Sequence, residues 1–242
     1  MQVDLLVTIT GGDYTDIAQV NGWVAEEKNG KVRESDFGNI NLQTKKGKPE
    51  SGLGNFKFCF VENGGYDEVT VDNFRWSVFD FDERGDDNKE KNIGIKEKMM
   101  MDISQAKIMQ LWPDVAGSEV KLSCEDGTSV PCGPGVRTVF HSSTDGNKKD
   151  NPTNPNKMSD KQKKRSVTFT FKDTACWEFS YDHYCPAEQP DSVYPHYEGG
   201  FTDSKCRWYG GGNFLFSGDA EGKCFVIALV CFMRKSCCVR NK

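Results

Sequence analysis

The sequence predicts an all-β fold: an antiparallel β-sandwich or jelly roll with long loops and at most one or two short helical turns. Three observations predict it. Sixteen Phe, five Trp and seven Tyr supply much of the apolar payload, and aromatic side chains suit half-buried pleated surfaces. Short runs alternate apolar and polar residues with the two-residue period of a strand, between Gly-, Asn- and Pro-rich turns. Helical periodicity is almost missing from the chain, which points to a sandwich or jelly roll.

The elements follow in order. Val3, Leu5, Val7 and Ile9 form one face of a first strand that Gly11-Gly12-Asp13 ends. A polar stretch to about Gly54 reads as long loops around short strands. Phe56, Phe58 and Phe60 then mark a second clear strand, and Asn63-Gly64-Gly65 is a hairpin signal. Residues 69–81 read as one long strand with Phe74 and Trp76 on one face and Phe79 and Phe81 on the other. A strand apolar on both sides belongs inside a packed sheet. Further strands are expected over residues 96–101, 106–111, 119–123, 136–141, 166–171 and 176–184, and again at Asn213-Phe-Leu-Phe216. Ser159 with Gln162 forms a capping box for one helical turn. The apolar run 224–233 is about half the length a membrane-spanning helix needs and reads as a buried strand. No internal repeat or convincing linker divides the chain. Residues 1–218 are read as one sandwich domain, and 219–242 as a Cys-rich terminal strand and tail.

Ten cysteines suit an oxidising compartment. Cys124, Cys132, Cys176, Cys185, Cys206, Cys224, Cys231, Cys237 and Cys238 are disulfide candidates beside Cys59, and a Cys124–Cys132 bridge would close the turn from Glu125 to Pro131. Paired C-x-x-C spacings for structural zinc are missing; a mixed site from Cys176, His183, Cys185 and Cys206 is the weaker alternative. Met1-Gln-Val-Asp4 carries no secretion leader, so an oxidising setting requires a mature segment or a missing start. The net charge is −5 with interleaved signs, which argues against a nucleic-acid partner. The basic run from Lys157 to Arg165 reads as a solvated turn.

Three segments could carry chemistry. Asp80 and Asp82 end a strand on one face, and Asp86, Asp87 and Asn88 follow across Gly85. Such hard oxygens suit a loop calcium site, against the alternatives of a solvated acidic turn or an ion pair with Arg84. Asp150, Asn151 and Asn154, stiffened by Pro152 and Pro155, could meet sugar hydroxyls or simply form Asx turns. Trp208, Tyr209 and Asn213 flank three glycines, a pattern that suits a pyranose ring or a glycine hairpin in the core. His141, His183 and His196 fall in no nucleophile or metal motif.

The opening strand with Gly11-Gly-Asp-Tyr-Thr-Asp16, Gly38-Asn-Ile-Asn-Leu42 and Phe79-Asp-Phe-Asp82 resembles a group of uncharacterised, predicted-secreted β-sandwich proteins of marine algae and related protists. Asp150-Asn-Pro with Pro155, Gln162 and Arg165, and then Asn213-Phe-Leu-Phe216, extend the resemblance to about Gly218. It implies architecture and compartment; the group carries no established activity. The sequence therefore leads to a non-enzymatic extracellular binding module, with calcium organising the acidic loop and a glycan or extracellular protein as partner. The rival is a structural subunit of a matrix, wall or surface filament, self-assembling through the terminal cysteines. A glycan-active hydrolase is the third reading, since two carboxylates suffice for that chemistry.

Overall fold

In a computed structural model of the chain, the alternating runs become two antiparallel sheets packed face to face. The structure describes residues 3–12, 38–42, 53–84, 96–146, 152, 154, 156–184, 212–220 and 223–224. The strands are β1 (Val3–Gly12), β2 (Gly38–Leu42), β3 (Gly54–Glu62), β4 (Val71–Phe79), β5 (Glu83–Arg84), β6 (Lys96–Met101) and β7 (Ile108–Leu111). They continue as β8 (Lys121–Cys124), β9 (Thr138–His141), β10 (Asp145–Gly146), β11 (Val167–Thr174), β12 (Cys176–Tyr184), β13 (Gly212–Ala220) and β14 (Lys223–Cys224). One sheet runs β1-β3-β12-β6-β9-β8. The other runs β14-β13-β4-β11-β7, with β2 also on β13. The one described α-helix, α1 (Asp160–Lys164), starts at the capping box read from Ser159 and Gln162.

Strand parity explains the core. Phe56, Phe58 and Phe60 of β3 and Trp177, Phe179 and Tyr181 of β12 point inward from the first sheet. Phe74 and Trp76 of β4, Phe169 and Phe171 of β11, and Phe214 and Phe216 of β13 meet them from the second. Ring centroids lie 5.0 Å apart for Phe58–Phe216, 4.8 Å for Trp76–Phe179 and 4.6 Å for Tyr181–Phe214. Each such side chain contributes about 1.5–3 kcal/mol by leaving water.

Connections depart from the sequence reading in two places. Asn63-Gly64-Gly65 does make a tight local turn, with Val61 bridged to Glu68 and the Val69 amide donating to the Phe60 carbonyl. The chain then crosses to the other sheet, so β3 and β4 face each other across the core rather than pairing. The expected strand 69–81 stops at Phe79, because Asp80 takes a positive φ of 67°. That residue resets the alternation. Phe79 packs outside with Leu215 and Met158, whereas Phe81 turns into the main core against Tyr181. Asp80 and Asp82 therefore do not share the face of a continuous strand.

Two disulfides clamp the frame. Cys124–Cys132 staples the β8–β9 hairpin, as the spacing predicts. Cys176 bonds Cys59 across the β3–β12 ladder, 117 residues away in sequence. This pairing overturns the mixed zinc alternative, since Cys176 is bonded and His183 lies against Glu97. In the chain-entropy account, closing a loop of that length stabilises by about 4–5 kcal/mol. Cys185, Cys206, Cys231, Cys237 and Cys238 lie outside the described residues; of Cys224 only the backbone is described, paired to Asp219. β13 runs on past Gly218 to Ala220, through the boundary placed between domain and tail.

Candidate functional site

Among the described residues, one end of the sandwich carries a network of polar side chains. Glu97 precedes Met99 and Met101 on the inward parity of β6, and His183 follows Tyr181 on that of β12; the two are ladder partners. The buried Tyr181 hydroxyl donates to Glu97 Oε2 at 2.9 Å, and His183 Nε2 lies 3.0 Å from Glu97 Oε1. The Asp82 amide also donates to Glu97 Oε2, at 3.4 Å, tying the β4–β5 corner to β6. Burial holds the Tyr181 phenol well above its usual pKa, helped by the charge and hydrogen bond of Glu97 and the charges of Asp80 and Asp82. It therefore serves as a donor and stays neutral.

Arg165 is the second anchor. Its side chain is 4% exposed, with Nη1 donating to Asp82 Oδ2 at 3.0 Å and Nε to Glu119 Oε2 at 2.8 Å. Its carbonyl accepts from the Phe81 amide at 3.0 Å. Arg165 caps the C-terminal end of α1, so a five-residue helix aims its guanidinium into the sheet end. This corrects the reading of the Lys157–Arg165 run as wholly solvated: the lysines stay at the surface or half-buried, and Arg165 is buried. Partial burial disfavours the Glu119 charge. Hydrogen bonds from Arg165 and Thr144, with the charges of Arg165 and Lys164, outweigh it and hold the carboxyl below its usual pKa. Gly146 lets the backbone of β10 pass over Asp82, since a Cβ there would fall on that carboxylate. The short parallel pairing of β10 with β5 follows from that close approach.

The residues singled out in sequence divide into three groups. Asp80 and Asp82 lie at this end, with Asp82 paired to Arg165; the Arg84 side chain lies outside the described ones. Asn154 forms an Asx turn, its Oδ1 accepting from the Asn156 amide at 2.8 Å, just before Met158 packs on Phe79 and Leu215. The Asn213 backbone sits two positions beyond the Leu215–Phe79 pair, also toward this end. Asp86, Asp87, Asn88, Asp150, Asn151, Trp208 and Tyr209 lie outside the described residues. The segments that contain them begin after Arg84, Gly146 and Tyr184, and the strands ending there all reach the polar end. Glu97, Glu119, Arg165 and Tyr181 were not picked out as site residues, and His183 only within the mixed zinc alternative. Polar side chains on core parity were the available signal for Glu97 and His183; Glu119 and Arg165 gave none.

Arg165 supplies Asp82 with the positive neighbour that two close acidic residues call for. A separate contact lies on the outer face of the first sheet, where Ser123 Oγ and His141 Nε2 are 2.7 Å apart. Burial, with the charges of Lys98 and Lys96, lowers the His141 pKa and keeps the ring neutral near pH 7. Comparison with protein families, curated sequences and solved structures found no match for the chain.

Proposed function

We propose that the chain is a non-enzymatic binding module of an oxidising, extracellular setting, with its recognition surface at the polar end of the sandwich. The observation that carries this reading is topological. The three segments chosen from sequence for ligand-type chemistry lie far apart in the chain, yet the strands leading into them all end where Arg165, Glu97 and Tyr181 make their bonds. Loops held on a rigid scaffold are where recognition residues concentrate. Two disulfides are compatible with that compartment. Among the described residues no helix is long and apolar enough to cross a membrane.

A glycan is the ligand class that the aromatic and amide side chains of these segments would suit: Trp208 and Tyr209 as plates for a sugar ring, Asn151, Asn154 and Asn213 as hydroxyl partners. Calcium would fall to the acidic run of Asp80, Asp82, Asp86, Asp87 and Asn88, whose hard oxygens suit it. The test is a glycan array probed with the oxidised chain. Binding lost in Trp208→Ala or Tyr209→Ala, with unchanged melting, supports the reading; no bound glycan, or binding indifferent to both changes, sinks it. Melting with and without a chelator tests calcium separately, since a cation bound only to the native state raises Tm.

A further inference from the structure

The Cys59–Cys176 pair sits where two sheet crossovers meet. Cys176 follows Ala175, at which the chain passes from β11 in one sheet to β12 in the other, and the Ala175 carbonyl accepts from the Phe60 amide at 2.9 Å. Glu68 lies on the neighbouring crossover from β3 to β4, bridged to Val61. It brings a carboxylate oxygen to 3.6 Å from Cys59 Sγ, and the three ligand atoms of Cys59, Cys176 and Glu68 all fall within 4.8 Å of one another. Spacing along the chain gives no hint of this group. Strand pairing assembles it.

Strand pairing also holds the two cysteines side by side. Cys59 and Cys176 are direct ladder partners, and the register continues through Trp177↔Phe58 to Tyr181↔Gly54. Phe58, Phe60 and Trp177 hold the same stretch from beneath as part of the aromatic core. While the disulfide is intact, sulfur has no proton to donate, so Glu68 lies against two sulfurs and takes its charge partner from Lys57, 3.1 Å away. Once the bond is reduced, two thiols face one carboxylate, with Cys59 buried, Cys176 half-buried and Glu68 exposed. A divalent ion would compensate all three groups at once. Two thiolates and one carboxylate form the soft, low-coordinate set that suits zinc, with water as the fourth ligand. Lys57, displaced from Glu68, keeps an acidic neighbour in Glu178, its ladder partner on β12.

We propose that Cys59, Cys176 and Glu68 form a redox-gated site, a covalent staple when oxidised and a zinc-class metal site when reduced. Two molecules of a small thiol supply two electrons and two protons and leave as their own disulfide, while Cys59 and Cys176 become thiols. Metal binding then expels the two thiol protons as both sulfurs bond the ion. This inference stands apart from the recognition surface, which lies at the opposite reach of β3 and β12.

Cadmium is the probe, because thiolate coordination gives it a charge-transfer absorbance. The full chain, reduced without oxygen, is titrated with cadmium and then pulse-alkylated, and the labelled cysteines are located by peptide mass. The expected result is strong protection of Cys59 and Cys176, with Glu68→Gln weakening cadmium binding by roughly tenfold or more. Alkylation of both cysteines at an unchanged rate, or a Glu68→Gln variant that binds as tightly as the parent, overturns the site. If reduction alone unfolds the chain, the readout becomes recovery of tryptophan fluorescence on adding cadmium. Recovery in the parent and not in Cys176→Ser supports the site; no recovery in the parent overturns it.

Discussion

Arg165 and Arg75 both donate hydrogen bonds to carboxylate oxygens, and their surroundings give those bonds different consequences. Arg75 projects from β4, is 59% exposed, and holds Asp219 through Nε and Nη2 at 3.0 and 2.8 Å. Water solvates both partners there, so the pair contributes less than about 1 kcal/mol. Arg165 is 4% exposed and divides its bonds between Asp82 and Glu119, which belong to segments far apart in the chain. Its removal takes a buried cation from two partly desolvated carboxylates. The buried arginine organises an end of the molecule, whereas the exposed one decorates a strand.

That contrast can be broken by mutation. Arg165→Ala is expected to destabilise by about 3–5 kcal/mol in denaturant titration, the range for breaking a buried pair. A loss below 1 kcal/mol would put Arg165 in the same class as Arg75. Next in size, Tyr181→Phe removes the buried donor to Glu97 Oε2 and should cost about 1–3 kcal/mol; an unchanged midpoint would show that Glu97 finds another donor.

Titration sharpens the comparison further. The Glu119 carboxyl is held below its usual pKa in the fold, so its stabilising effect is full above about pH 4.5 and is lost as pH falls through the lower folded value. His141, also lowered, weakens the fold as pH drops below about 6.5, because the unfolded ring then binds a proton more readily. At the other extreme Tyr181 is raised, so stability should fall above about pH 10, where only the unfolded phenol ionises readily. Melting temperature against pH in the parent and in Tyr181→Phe checks the alkaline limb, which the variant should flatten. The smallest effect is Arg75→Ala, expected to shift stability by under about 1 kcal/mol and less still at high salt.

What the linear sequence determined is whatever has its partner nearby. Alternation in Phe56-Lys-Phe-Cys-Phe60 and in residues 167–171 specified strands and their inward faces, because side-chain direction on a strand is a matter of parity alone. Ser159 and Gln162 made their capping box three residues apart, and Cys124 found Cys132 across a single turn. Only the tertiary structure decided the rest. Cys59 met Cys176 because β3 and β12 are neighbours, and Arg165 left a basic run to enter the sheet end because α1 ends over Asp82 and Glu119. Asp80 turned back on itself, sending Phe81 into a core that parity had assigned to Phe74 and Trp76. Those outcomes depend on which strands pack together, and a pattern of period two is silent on its neighbours.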